Sequence, residues 1–142
     1  MNQALAVAAA LALTVVLFVA YRRLRAGDRM DLIISRKRGG AMLASPAVFI
    51  DGANHIPVAL SLESSRVAYE NDDLDASIDI QQIDEVEYSS DLVTGRIADG
   101  AVLRLRSHGR AYEFILDVAF AERWSHRLPP HRLDEAGSVA VV

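Results

Sequence analysis

An uncharged apolar run near the start of the chain constrains its folding more than any other feature. From Ala4 to Tyr21, eighteen residues include no charged side chain, no glycine and no proline. As a helix this run spans about 27 Å, close to the roughly 30 Å of a bilayer's hydrocarbon core. We therefore expect residues 1–21 to form a transmembrane anchor of a single-pass membrane protein.

Basic residues follow this run, whereas only the terminal amine precedes it. Positive charge stays on the cytoplasmic side of a membrane, so we expect an inner-membrane protein with its N-terminus outside and its C-terminal domain in the cytoplasm. Two other interpretations remain open, a cleaved secretory signal and a buried helix of a soluble protein. The basic residues are also candidates for contact with lipid headgroups; they are Arg22, Arg23, Arg25, Arg29, Arg36, Lys37 and Arg38.

Charge divides the rest of the chain into two regions. Residues 22–38 contain seven basic and two acidic side chains, a balance of +5, and residues 39–142 contain eight basic and 17 acidic, a balance of −9. We interpret residues 22–39 as a basic linker and residues 40–130 as an acidic domain. An acidic domain disfavours binding to nucleic acid, which requires a basic surface.

The residues that usually support catalysis or metal binding form no convincing pattern. The chain has no cysteine, and its histidines lack the spacing of metal ligands on one helix face. Asn71, Asp73 and Asp75 have the spacing that starts a calcium loop, but Ala76 and Gln82 replace the glycine and glutamate that such a loop requires. We therefore expect no enzymatic activity, no metal and no cofactor.

A two-residue hydrophobic period indicates half-buried strands across the acidic domain. The period is seen around residues 47–51, 58–62, 67–69, 76–80 and 83–88, and in the two segments that flank His108 and Gly109. This dipeptide suits a tight hairpin turn. In that hairpin Leu105 and Phe114 are expected to face the core, with Arg104 facing out and within reach of Glu113.

One amphipathic helix is expected to follow the strands. Asp117 is a suitable N-cap, and Trp124 lies on an apolar stripe that ends before Pro129 and Pro130. With about seven short antiparallel strands, the fold class is mainly β. We expect a bent sandwich or partly open barrel capped by this helix, with a flexible tail over residues 131–142.

Seven strands followed by a tryptophan-bearing helix resemble the pleckstrin-homology-like (PH-like) family, including its GRAM and bacterial branches. The resemblance covers roughly residues 56–128, through the segments VALSLESSRVAYEN, LDASIDIQQIDEVEY, LRLRSHGRAYEFILD and AERWSHRL. Trp124 matches the tryptophan of the family's capping helix. The resemblance implies a non-catalytic binding module, although the loop at Ser64 and Ser65 has only Arg66 where phosphoinositide-binding members are basic.

The resulting hypothesis is an interaction or scaffold module that is anchored at the cytoplasmic face of the membrane. Its expected partners are the bilayer together with a protein or a second copy of the chain. Small residues at four-residue spacing, such as Ala8 and Ala12, permit close helix association. The alternative is a module that binds anionic lipids through its basic segment.

Overall fold

The computed structural model describes the backbone of residues 2–133 and 139–140, and the side chains of residues 7, 8 and 10–133. The predicted start of the apolar run at Ala4 therefore falls outside the described side chains. Residues 1–32 and residues 33–142 form two compact units, which are described separately below.

Helix α1 spans Asn2–Arg38, and the basic segment expected to be a linker is thus helical up to Arg38. Alanine and leucine dominate its first half, and both favour helix. Its last turn carries Arg36, Lys37 and Arg38, whose positive charges suit the negative end of the helix dipole. The helix ends at Gly39 and Gly40, where the amide of Gly40 donates to the Lys37 carbonyl across 3.0 Å.

The predicted transmembrane anchor is wrong. Among the residues that the structure describes, no helix is long and apolar enough to cross a membrane. Arg22 and Arg23 follow Tyr21 directly and end the apolar run, and charged side chains are costly within a hydrocarbon core. The assignments as a single-pass membrane protein and to the inner membrane, which both depended on this anchor, are wrong with it.

The second unit contains a β-sheet with the order β4-β3-β2-β1-β7-β6-β5-β8-β9 in the described residues, and every neighbouring pair is antiparallel. Its strands are β1 Leu43–Asp51, β2 Asn54–Leu62, β3 Arg66–Glu70, β4 Asp75–Asp79, β5 Glu85–Asp91, β6 Ile97–Ser107, β7 Arg110–Leu116, β8 His131–Leu133 and β9 Val139–Ala140.

The predicted sandwich or partly open barrel is also wrong, because this sheet is open. Among the strands that the structure describes, β4 pairs only with β3 and β9 only with β8, so both are edges of the sheet. The chain uses part of the expected tail to extend the sheet, since β8 pairs with β5 through His131 and Arg132. The rest of that tail, residues 134–138 and 141–142, lies outside the described residues.

Strand β1 contains Pro46, a residue that has no amide hydrogen for a sheet hydrogen bond. Pro46 is opposite Ala59 of β2, whereas the pairing with β7 covers only Val48 to Ile50. At Pro46 the strand is therefore locally an edge, which is where a sheet tolerates proline.

The hairpin of β6 and β7 turns at His108 and Gly109. Their φ angles are +50° and +74°, as a two-residue primed turn requires. Leu103 pairs with Phe114 and Leu105 with Tyr112. Leu105 and Phe114 are fully buried, so the inward-facing residues of this hairpin lie in the core.

One cluster of buried side chains includes residues from β2–β4, from β5–β7 and from the helix after β7, so the sheet curves around a common core. Helix α2, Val118–Arg127, is capped by Asp117, whose carboxylate accepts from the Ala119 amide at 2.9 Å. Trp124 is fully buried. Its Nε1 donates to Ser45 Oγ of β1 across 2.8 Å, which joins the helix to the sheet.

The opposite face of β1–β3, called here the outer face, carries small residues. Ala44, Ser61 and Ala68 are cross-strand neighbours in one row, and all three are buried. On the next row Ala59 pairs with Glu70. Because large side chains are missing from these positions, another element can approach this face closely.

Candidate functional site

The first unit displays a continuous apolar surface, called here the α1 apolar surface. Ten large apolar side chains of α1 between Val7 and Leu24 are 46% to 72% exposed. They are Val7, Leu11, Leu13, Val15, Val16, Leu17, Phe18, Val19, Tyr21 and Leu24.

This surface extends around the whole helix. Val15 to Val19 are five consecutive exposed residues, and since each step along a helix turns by about 100°, together they encircle its axis. A helix that is apolar on every side is stable when it is buried against other apolar groups. Exposed apolar patches of this extent mark interaction surfaces.

The structure divides the predicted lipid-contacting residues into two groups. Arg22, Arg23, Arg25 and Arg29 are exposed in the first unit. The guanidinium of Arg25 donates to the Tyr21 hydroxyl at 3.0 Å, and that of Arg22 lies 6.0 Å from the centre of the Phe18 ring. Of the three in the second unit, only Arg38 makes none of the ion pairs described below.

The end of α1 is tied to the sheet by a cluster of charges. Lys37 Nζ lies 3.1 Å from Glu70 Oε2 and 3.4 Å from Glu63 Oε1. Arg36 Nη2 lies 3.3 Å from Glu70 Oε1, and Arg66 Nε lies 2.6 Å from Glu63 Oε2. This arrangement commits Arg36 and Lys37 to carboxylates of the same chain.

The cluster shifts the pKa values of its members. Burial disfavours the charged form of Lys37, but hydrogen bonds and charge from Glu70 and Glu63 outweigh it and raise the Lys37 pKa above 10.5. The hydrogen bond from Arg66 lowers the pKa of Glu63 below 4.5, and burial partly opposes that change. Both groups are therefore charged at neutral pH.

A second charged cluster is centred on Arg104 of β6. Its Nη1 donates to Glu87 Oε2 at 2.7 Å, and its Nη2 donates to Glu113 Oε1 at 2.9 Å and to the Asp91 carbonyl at 2.8 Å. Glu113 Oε1 also accepts from the Val93 amide at 2.8 Å. Burial opposes the charge of Arg104, but its bonds to Glu87 and Glu113 raise its pKa.

This cluster fixes the turn that follows β5, because Glu113 accepts from the Val93 amide. The guanidinium joins β6 to both neighbouring strands, through Glu87 and the Asp91 carbonyl of β5 and through Glu113 of β7. Sequence alternation predicted an outward-facing Arg104 but missed its burial. The sequence signal for this burial was the pair of acids, Glu87 and Glu113, that lie opposite Arg104 on the two flanking strands.

The other candidate sites also have structural explanations. Asn71 Oδ1 accepts from the amides of Asp73 and Leu74, both at 2.8 Å, so it shapes a turn. In the described part of the chain, no group of three or more metal-binding side chains is close enough to hold an ion.

Comparisons with protein families, with curated proteins and with solved structures find no match to this chain.

Proposed function

We propose that the chain is a non-catalytic interaction module that associates with copies of itself through the α1 apolar surface. The observation that carries this proposal is the exposure of ten large apolar side chains on a helix with no polar side between Val15 and Val19. Burying that surface is favourable at about 25 cal/mol per Å², which supplies the driving force for association.

A second copy is well suited to cover this surface. It brings an identical helix whose described part has no charge from Val7 to Tyr21, so association buries no unpaired charge. Ala8 and Ala12 are one turn apart and allow two helix backbones to approach closely. Thr14 Oγ1 donates to the Ala10 carbonyl at 2.8 Å, so its hydroxyl already has a partner within its own helix.

The domain displayed by this assembly is proposed to be PH-like. The order of its strands supports the resemblance, because β1–β4 are sequential neighbours, β5–β7 are sequential neighbours, and β1 joins β7. Helix α2 follows β7 and carries the buried Trp124. Binding to phosphoinositides is not part of the proposal, because Arg66 is engaged by Glu63.

Sedimentation velocity of the full chain over a range of concentrations tests self-association. The variant Leu11→Glu/Val15→Glu/Phe18→Glu places three charges on one side of α1. The matched control, Val93→Glu/Ile97→Glu/Val118→Glu, makes the same change at three exposed apolar residues outside α1. We expect wild type and control to sediment as dimers or larger species, and the α1 variant as a monomer.

A monomeric wild type would contradict the proposal, as would an α1 variant that keeps the wild-type mass. Flotation with vesicles provides a second comparison. If a monomeric wild type floats with vesicles, lipid covers the surface and self-association is rejected. If that flotation requires anionic lipid and falls with salt, the alternative that assigns headgroup binding to Arg22, Arg23 and Arg25 takes its place.

A further inference from the structure

We propose that the last turns of α1, residues 33–38, form an ionic latch. Lys37 and Arg36 hold this helix end on the sheet, and it detaches without unfolding of the domain. The latch comprises this segment and its two carboxylate partners, Glu63 of the β2–β3 turn and Glu70 of β3. This inference lies within the second unit and does not depend on self-association through the first.

Glu70 depends on the helix for its ion-pair partners. Its side chain is only 11% exposed, and a buried carboxylate is costly unless it is paired. Among the described residues, both ion pairs of Glu70 come from α1, through Lys37 and Arg36. Glu63 differs, because Arg66 of the sheet remains its partner when the helix leaves.

In this proposal the latch lies over the small-residue row of the outer face, whose three residues are buried although none belongs to the main core. Glu70 shares that face with Ala68, so its pairing with Lys37 brings the helix end over the row. Ile34 lies one turn before Lys37 on the same side of the helix and is only 4% exposed. Ser61 Oγ, in the middle of the row, is buried and has no hydrogen-bond partner.

Two features make this contact separable from the rest of the fold. Ion pairs and one buried apolar side chain hold it, whereas the main core lies on the other face of the sheet and includes Trp124 and Phe114. The unpartnered Ser61 hydroxyl gains hydrogen bonds to water once the helix end leaves. Salt weakens the pairs because they are partly exposed, so the latch responds to ionic strength.

Thiol labelling measures detachment directly, because the chain has no cysteine. In the full chain, Ile34→Cys places one thiol on the helix side of the contact, and Ala44→Cys in a separate variant places one on the sheet side. Each is combined with Lys37→Gln, or with Arg38→Gln as the control that removes the same charge from an exposed residue of the same turn. Fluorescence of the single tryptophan, Trp124, reports on the core throughout.

We expect Lys37→Gln to accelerate labelling of both thiols about tenfold. This factor lies between those expected for loss of an exposed ion pair and for loss of a buried one, because Lys37 is only partly buried. About 1 M salt should accelerate labelling of the wild-type background similarly, and Arg38→Gln should change it less than about twofold. Trp124 emission should stay constant.

Two results would overturn the latch. One is a labelling rate that changes by less than about twofold at both positions when Lys37→Gln is introduced. The other is acceleration that occurs only together with a shift of Trp124 emission, which would mean that the helix end leaves only when the domain unfolds. Agreement between the two thiol positions rules out that one of the cysteine substitutions itself loosens the contact.

Discussion

Trp124 Nε1 donates a hydrogen bond to Ser45 Oγ, and both side chains are completely shielded from solvent. The bond joins α2 to β1 across 79 residues of sequence. We expect Ser45→Ala to lower the free energy of unfolding by about 1 to 3 kcal/mol, because it leaves the indole nitrogen buried without a partner. Urea unfolding followed by circular dichroism measures this loss.

Ser61→Ala provides the comparison for that experiment. Ser61 is as buried as Ser45 but its hydroxyl has no hydrogen-bond partner, so its removal should change the free energy of unfolding by less than about 0.5 kcal/mol, or raise it. Equal losses for the two serine variants would show that the Trp124 hydrogen bond contributes nothing specific.

Arg104→Gln should be strongly destabilising, because it leaves Glu113 buried without its charged partner. We expect the free energy of unfolding to fall by about 3 to 5 kcal/mol. Arg106→Gln removes the same charge two residues along β6, from a side chain that is 47% exposed and pairs with Glu85, and should lose less than about 1 kcal/mol. Urea midpoints of the two variants test the difference.

The amide of Val93 gives a local measure of the same cluster. It donates to Glu113 Oε1, so we expect its hydrogen exchange to accelerate in Arg104→Gln more than exchange at the β6–β7 hairpin. Uniform acceleration would instead indicate that Arg104 stabilises the whole domain and does not hold the loop.

Gly100 of β6 should not tolerate a side chain. Its φ is +137°, and an added Cβ would lie 2.5 Å from the Leu116 carbonyl oxygen. We expect Gly100→Ala to cost more than about 2 kcal/mol of unfolding free energy. Gly95, at φ +78°, has open space around it, so Gly95→Ala should cost only about 1 kcal/mol. Thermal unfolding of both variants measures the contrast.

The charged cluster at the end of α1 should make stability depend on pH at both extremes. The pKa of Glu63 is lowered from 4.5 in the folded chain, so its contribution is present above that value and is lost as the pH falls through the folded pKa. The pKa of Lys37 is raised from 10.5, so its contribution is present below that value and is lost as the pH rises further.

Glu63→Gln tests the acidic side of this dependence. Its melting temperature should be lower than that of the wild type at about pH 6, and the difference should shrink as the pH falls through the lowered pKa of Glu63. Asp99→Asn, at an exposed position, serves as the control. A difference that stays constant across this range would rule out the charge of Glu63 as its cause.

The elements that the sequence predicted well depend on local chemistry. The β6–β7 turn needs two residues that accept positive φ, and His108 followed by Gly109 supplies them. Helix α2 needs an N-cap and an apolar stripe, which Asp117 and Trp124 provide within a few residues of each other. These signals need no knowledge of the remaining fold.

The predictions that failed required knowledge of what covers each surface. Alternation placed Arg104 outside, but it is buried, with Glu87 and Asp91 of β5 and Glu113 of β7 as its partners. The open sheet was missed because the pairing of β8 with β5 joins distant segments. The docking of Lys37 on Glu70 was also missed, because sequence spacing gives no indication that a helix end meets a strand 33 residues later.

Because the described sheet is open, β4 is an edge strand whose outer backbone groups can pair with a strand of another molecule. The charged residues of β4 oppose such pairing. Asp75 and Asp79 stand at the two ends of a strand only five residues long, and both are exposed. When two such edges meet, carboxylates of both molecules come close together, and their repulsion opposes growth of a fibril. Self-association through α1, as proposed above, would then bring copies of the chain together without joining their sheets.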